Sequence, residues 1–129
     1  MMKLKRIHHI AIIASDYTIS KKFYCDILGL TLIEEHYRPE SDSWKADLAL
    51  DGIYQIELFS FPTSPARPSY PEACGLRHLA FCVDDLDQSI ADLEQHGIRC
   101  EAPRIDPYTQ KRFTFFADPD GLPLELYCS

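Results

Sequence analysis

The chain lacks most of the features that would set it apart from ordinary soluble domains. No uninterrupted apolar run approaches the roughly 18 residues that a membrane-spanning helix needs, so a membrane protein built on helices is not expected. Positive charge is scarce: 13 Lys and Arg stand against 20 Asp and Glu, for a net charge of −7. The longest basic pairs are Lys21-Lys22 and Lys111-Arg112, which leaves no footprint for a phosphate backbone and excludes nucleic acid as an expected partner. The five cysteines, Cys25, Cys74, Cys82, Cys100 and Cys128, are odd in number, form no C-x-x-C pair and lack the spacing of a thiolate zinc site. Reduced thiols in the cytoplasm are expected, with Cys82 and Cys100 read as small apolar residues on strands. Lys3, Lys5 and Arg6 imitate the basic start of a signal peptide, but the apolar stretch from Ile7 to Ala14 is broken by His8 and His9 and runs straight into Asp16. That stretch reads as a strand.

What is present is an apolar fraction of 46%, with 12% aromatic residues, in 129 residues. This fits one packed domain spanning residues 1–129. Within it lies a repeat. R-I-H-H-I-A-I-I-A-S-D at residues 6–16 matches G-L-R-H-L-A-F-C-V-D-D at residues 75–85, pairing His9 with His78, Ala11 with Ala80 and Asp16 with Asp85 at an offset of 69. Each block leads into a helical stripe, Phe23, Tyr24, Ile27 and Leu28 before Gly29, and Leu86, Ile90 and Leu93 before Gly97, the second helix being one residue shorter. Each half then closes on a turn and a strand, D-G-I-Y-Q-I-E-L-F at residues 51–59 and D-G-L-P-L-E-L-Y at residues 120–127, carrying Glu57 and Glu125 at an offset of 68. Further strands are expected over residues 30–37, 44–50, 98–102 and 111–117. The fold class is therefore α+β, two tandem β-α-β-β-β modules at about residues 5–61 and 75–128. Between them, residues 62–74 form a Pro-rich linker whose stiffness allows one half to be held apart or carried onto a neighbouring chain.

The repeat also carries chemistry. Side chains alternate along a strand, so His9, Ala11 and Ile13 share one face, and His78, Ala80 and Cys82 share the other half's equivalent. The alanines leave open space beside each imidazole. Glu57 and Glu125, flanked by apolar neighbours on the last strands, reach the same open faces if first and last strands pair, and burying them without a partner is costly. His9, Glu57, His78 and Glu125 together make a sensible donor set for one divalent cation. Taken singly, each is more often a core or surface residue; recurrence at equivalent places favours the metal. Ni, Co, Zn, Mn and Fe all suit such nitrogen and oxygen donors. His8, His36 and His96 read as solvent-facing. Trp44, Tyr24, Phe59, Phe61 and Tyr127 are candidates for a substrate pocket, though such residues are more often core; Arg38, Lys45, Arg67, Lys111 and Arg112 are candidates for holding a substrate anion, though most such charges lie on the surface.

These residues resemble a known family, the vicinal oxygen chelate superfamily, and within it the short bacterial glyoxalase I (lactoylglutathione lyase) type. The resemblance rests on the early pattern of His9, Asp16, Ser20, Phe23, Tyr24, Leu28 and Gly29, on G-L-R-H-L-A-F at His78, and on D-P-D-G-L-P-L-E-L at Glu125. It implies the glyoxalase/bleomycin resistance/dioxygenase fold, a cupped mixed sheet around one metal ion, and a homodimer in which His9 and Glu57 of one chain share the ion with His78 and Glu125 of the other. It also implies Glu125 as the main base, assisted by Glu57, acting on a small vicinal-oxygen substrate such as a 2-oxoaldehyde–thiol hemithioacetal. Glu57 favours this type over relatives with other residues there. Yet Ile13 and Phe61 stand where the type has an arginine and an asparagine for the glutathione carboxylates, which argues against glutathione as the thiol. The rival expectations are a metal-dependent dioxygenase or thiol transferase of the same superfamily, and a non-catalytic protein that captures a small ligand.

Overall fold

The computed structural model describes all residues, Met1–Ser129, as two compact units, Met1–Ala66 and Arg67–Ser129. The architecture is α+β: each unit is built on a four-stranded mixed sheet with a helix between its first two strands. No helix is long and apolar enough to cross a membrane.

The first unit runs β1 (Ile10–Ala14), α1 (Tyr17–Lys22), a π-turn (Phe23–Ile27), β2 (Thr31–Arg38), β3 (Ser43–Leu50) and β4 (Ile53–Ser60). Its sheet order is β1-β4-β3-β2, with β1 parallel to β4 and the other pairs antiparallel. Asp16 caps α1 by accepting a hydrogen bond from the Ile19 N–H at 3.1 Å. Ile12, Ala14, Ala46, Leu48, Ile56 and Leu58 alternate onto one face and are buried with Tyr24 and Phe23 from the helical segment. The tight turn into β4 is made by Asp51 and Gly52, both at positive φ (52° and 77°), the left-handed pair that a two-residue hairpin requires.

The second unit runs β5 (Leu79–Val83), α2 (Leu86–Gln95), β6 (Arg104–Ile105), β7 (Arg112–Ala117) and β8 (Pro123–Cys128), in the order β5-β8-β7-β6. Asp85 caps α2 through the Gln88 N–H at 3.0 Å, as Asp16 does in the first unit. The D-P-D-G stretch is a turn held from inside: the buried Asp118 carboxylate accepts hydrogen bonds from the N–H groups of Asp120 and Leu122, both at 2.9 Å.

The shortened repeat has a structural cause. Thirteen positions separate Asp16 from Gly29 but twelve separate Asp85 from Gly97, and the additional residue is absorbed as the π-turn, where the Leu28 N–H bonds back to the Phe23 carbonyl at 3.0 Å. Two expectations need correction. His9 and His78 each stand one residue before β1 and β5 instead of within them. The strand expected at residues 98–102 forms at Arg104–Ile105. Pro103 has no N–H to give a ladder, so the earlier segment is tied to β7 only by isolated bonds, from the Glu101 N–H to the Phe115 carbonyl and from the Thr114 hydroxyl to the Glu101 carbonyl.

Candidate metal centre

In the parallel ladder of β1 and β4, Ala11 lies directly opposite Glu57; in that of β5 and β8, Ala80 lies opposite Glu125. A methyl beside each glutamate leaves its carboxylate free to turn along the sheet toward the histidine two residues before the alanine. His9 Nε2 and Glu57 Oε1 are 3.6 Å apart, and so are His78 Nε2 and Glu125 Oε1. The glutamate side chains are 16% and 13% exposed, the imidazoles 37% and 31%.

A separation of 3.6 Å is too long for a hydrogen bond. It does suit two donors on one cation: with bonds of about 2.1 Å, donors at this spacing subtend about 110–120° at the ion. The donor set, one imidazole nitrogen and one carboxylate oxygen in each unit, therefore fits a borderline divalent metal. Each unit thus brings together one of the two expected pairs. Within neither unit are three or more His, Cys, Asp or Glu side chains placed to hold one metal ion.

The two pairs differ in what holds them. In the first unit Glu57 Oε2 lies 3.2 Å from Lys45 Nζ, which is also 2.6 Å from Asp47 Oδ1, and Asp47 is the direct cross-strand neighbour of Glu57. Burial works against the Lys45 ammonium, but its hydrogen bonds to Asp47 and Glu57 outweigh it and raise its pKa. The Tyr54 phenol also bonds to both carboxylates; burial first, then their charges, push its pKa well up, so it stays a donor. Its ring stacks on His9 with centroids 5.2 Å apart and planes within 6°. Glu57 therefore has one oxygen tied down and the other turned to His9. In the second unit Phe115 takes the place of Asp47 opposite Glu125 and packs edge-on against His78 at 5.0 Å. No lysine or arginine lies within 4 Å of the Glu125 carboxylate, whose one basic neighbour is the His78 imidazole.

Among the other residues singled out in the sequence, Tyr24 is fully buried and belongs to the core. Trp44 stacks on Tyr17 of α1, and its register partner Ser60 belongs to the buried side of the sheet, away from Glu57. Phe59 and Phe61 do lie on the Glu57 face, stacked at 5.9 Å, with the Arg38 guanidinium 5.0 Å above the first and 5.9 Å above the second. Tyr127 lies on the Glu125 face, hydrogen-bonded to Asp106 at 3.0 Å and to Thr109. His8 sits beside His9, with Nδ1 atoms 2.9 Å apart; His36 meets Glu34 and His96 meets the Asp92 carbonyl, both exposed. None of the five cysteines is paired. Asp47 and Tyr54 escaped sequence reasoning, because their link to Glu57 depends on the β3–β4 register and on its irregularity at Leu48/Ala49.

Two mixed sheets, each pairing its first and last strands in parallel and each presenting a His–Glu pair, define a duplicated module. The chain belongs to the Glyoxalase/Bleomycin resistance protein/Dioxygenase superfamily, which matches it over residues 6–126. It is 71% identical over 127 residues to the protein YaeR of Escherichia coli (strain K12), covering 98% of each. The crystal structure of the glyoxalase family protein from Enterococcus faecalis superposes with a TM-score of 0.90 at 51% identity, covering 98% of this chain and 99% of that one. A probable lactoylglutathione lyase of Synechocystis sp. is 26% identical over 121 residues, covering 92% of this chain and 91% of that protein.

Proposed function

We propose that the chain is a metal-dependent lyase of the glyoxalase I type, isomerising a small 2-oxoaldehyde–thiol adduct. The observation that carries this reading is the duplicated His–Glu pair, with the same 3.6 Å spacing in both units. On this reading one cation is shared by all four residues across a homodimer, His9 and Glu57 of one chain with the partner's His78 and the partner's Glu125. The stiff Pro-rich linker, able to carry one half onto a neighbouring chain, supports that arrangement. The unpaired thiols support a reducing compartment such as the cytoplasm.

A divalent metal ion bound there would polarise the substrate oxygens and stabilise the negative charge that develops beside the carbonyl. The chain's residues supply the proton transfer. Glu125, with no lysine or arginine within 4 Å, is the carboxylate free to take the proton from the hemithioacetal carbon and return it to the neighbouring carbonyl carbon. The hydroxyl proton passes to the former carbonyl oxygen, so the product is an isomer, a 2-hydroxyacyl thioester, and no co-reactant is consumed. Glu57, fixed by Lys45 and Tyr54, positions its free oxygen beside His9. Ala11 and Ala80 keep the approach to both carboxylates open.

The test is turnover of methylglyoxal adducts with several thiols by protein loaded separately with Ni²⁺, Co²⁺, Zn²⁺ and Mn²⁺. Glu125→Gln is expected to lower kcat by about 10²- to 10⁴-fold. Fully metallated protein that turns over no adduct refutes the lyase reading.

A further inference from the structure

We infer that Arg38 is the anion-binding residue of the face that bears His9 and Glu57, and that the substrate taken there carries a single carboxylate. The inference rests on the proposal that this face meets the substrate.

Register places Arg38 on that face: it lies opposite Ser43, Lys45 lies opposite Phe59, and Asp47 lies opposite Glu57, all on one side of the pleat. The guanidinium stands over Phe59 and Phe61, and Phe59 is two residues, about 7 Å, along the strand from Glu57. A substrate oxygen beside Glu57 is thus within a short carbon chain of the guanidinium.

Several other cations already have partners. Lys45 bridges Asp47 and Glu57; Lys21 holds Glu35; Arg112 forms a two-pronged pair with Asp87; Arg67 donates to the Leu76 and Arg77 carbonyls. Arg38 meets no carboxylate within 4 Å, and its Nε–H donates to the neutral Ser43 hydroxyl at 3.0 Å. The second unit supplies a control within the molecule. Arg104 stacks in the same way on Phe113 and Phe115, at 5.0 and 5.3 Å, but its Nε and Nη2 both engage Glu101, at 2.8 and 2.6 Å. One arginine is neutralised on its rings, and the other is held ready. The two phenylalanines fix the plane of the Arg38 fork and exclude water beneath it, which suits a planar carboxylate received through two parallel N–H bonds. Ile13 and Phe61 offer no site for a second anion on this face.

The test needs neither metal nor turnover. 3-(Methylthio)propanoate and the neutral 3-(methylthio)propan-1-ol are titrated separately into the full chain, with the shifts of the Phe59, Phe61 and Arg38 Nε–H signals followed by NMR. The carboxylate is expected to bind at least about tenfold more tightly than the alcohol; Arg38→Gln should remove that preference and Arg38→Lys should recover only part of it. Equal affinity for the two probes, a preference that survives Arg38→Gln, or shifts centred elsewhere would overturn the assignment. Inorganic phosphate binding as tightly as the carboxylate would overturn the carboxylate specificity. In a second arm, the methylglyoxal adducts of mercaptoacetate and 2-mercaptoethanol are compared: Arg38→Gln should raise KM about tenfold for the first and leave the second unchanged, with kcat retained. A carboxylate preference that holds while neither adduct is turned over removes the lyase reading and keeps the role of Arg38.

Discussion

Replacing Lys45 with methionine tests whether its ammonium is what allows Asp47 and Glu57 to stand side by side. The two carboxylates are direct cross-strand neighbours, and the ammonium lies 2.6 Å from one and 3.2 Å from the other. At an effective dielectric of about 20, a pair of unit charges about 3 Å apart attracts by about 5 kcal/mol, most of which desolvation offsets. Exposed pairs are worth about 0.2–1 kcal/mol, and removing one partner of a buried pair costs about 3–5. The three side chains here are 25%, 17% and 16% exposed, between those limits. Lys45→Met should therefore cost about 2 kcal/mol, or about 6–10 °C in Tm for a chain of this length. Much of that loss is repulsion between the two remaining carboxylates, so Asp47→Asn should recover part of it when combined with Lys45→Met while destabilising the natural chain. Urea denaturation of the four proteins at pH 7 with a chelator present measures the coupling, expected at about 1–2 kcal/mol. Additivity within about 0.5 kcal/mol would refute the charge argument and leave Lys45 as mere packing.

Three further outcomes are expected. Hydrogen bonds from Lys21 and then from Tyr17 hold the Glu35 carboxyl below its ordinary range. A depressed folded pKa gives stability that is present above the ordinary glutamate range and lost as pH falls through the folded value, so Glu35→Gln should lower Tm at pH 7 but leave it nearly unchanged near pH 2; equal loss at both pH values would contradict this. Asp118→Ala removes the acceptor for two turn N–H groups and should cost about 2–4 kcal/mol by chemical denaturation, with an intact but less stable fold by circular dichroism. Leu58→Ala, at a fully buried position of β4, should cost about 3–5 kcal/mol in the same measurement.

The halves, their strand-helix order and the pairing of His9 with Glu57 and of His78 with Glu125 were legible because they depend on local alternation and on recurrence. Asp16 and Asp85 recur for a structural reason: each caps the helix that follows it. What stayed hidden depends on register across a hairpin. Lys45 read as a surface cation for a substrate anion, yet the β3–β4 pairing turns it onto two carboxylates of its own sheet. The arginine that remains for an anion, Arg38, reaches its rings from the far edge strand, a contact that no window of sequence contains.

The π-turn bears on how the two halves can diverge. A one-residue insertion in β4 would move Glu57 to the opposite side of the sheet, and one in a regular helix would swing everything beyond it by about 100°. Between Phe23 and Ile27 the same insertion is confined to a single widened turn, and β2 still begins two residues after Gly29. Chain length is thus allowed to drift on the helical side of the module while the spacing from Gly29 to Glu57 matches that from Gly97 to Glu125. The part of the repeat that absorbs a change in length and the part that carries the His–Glu pair are mechanically separate.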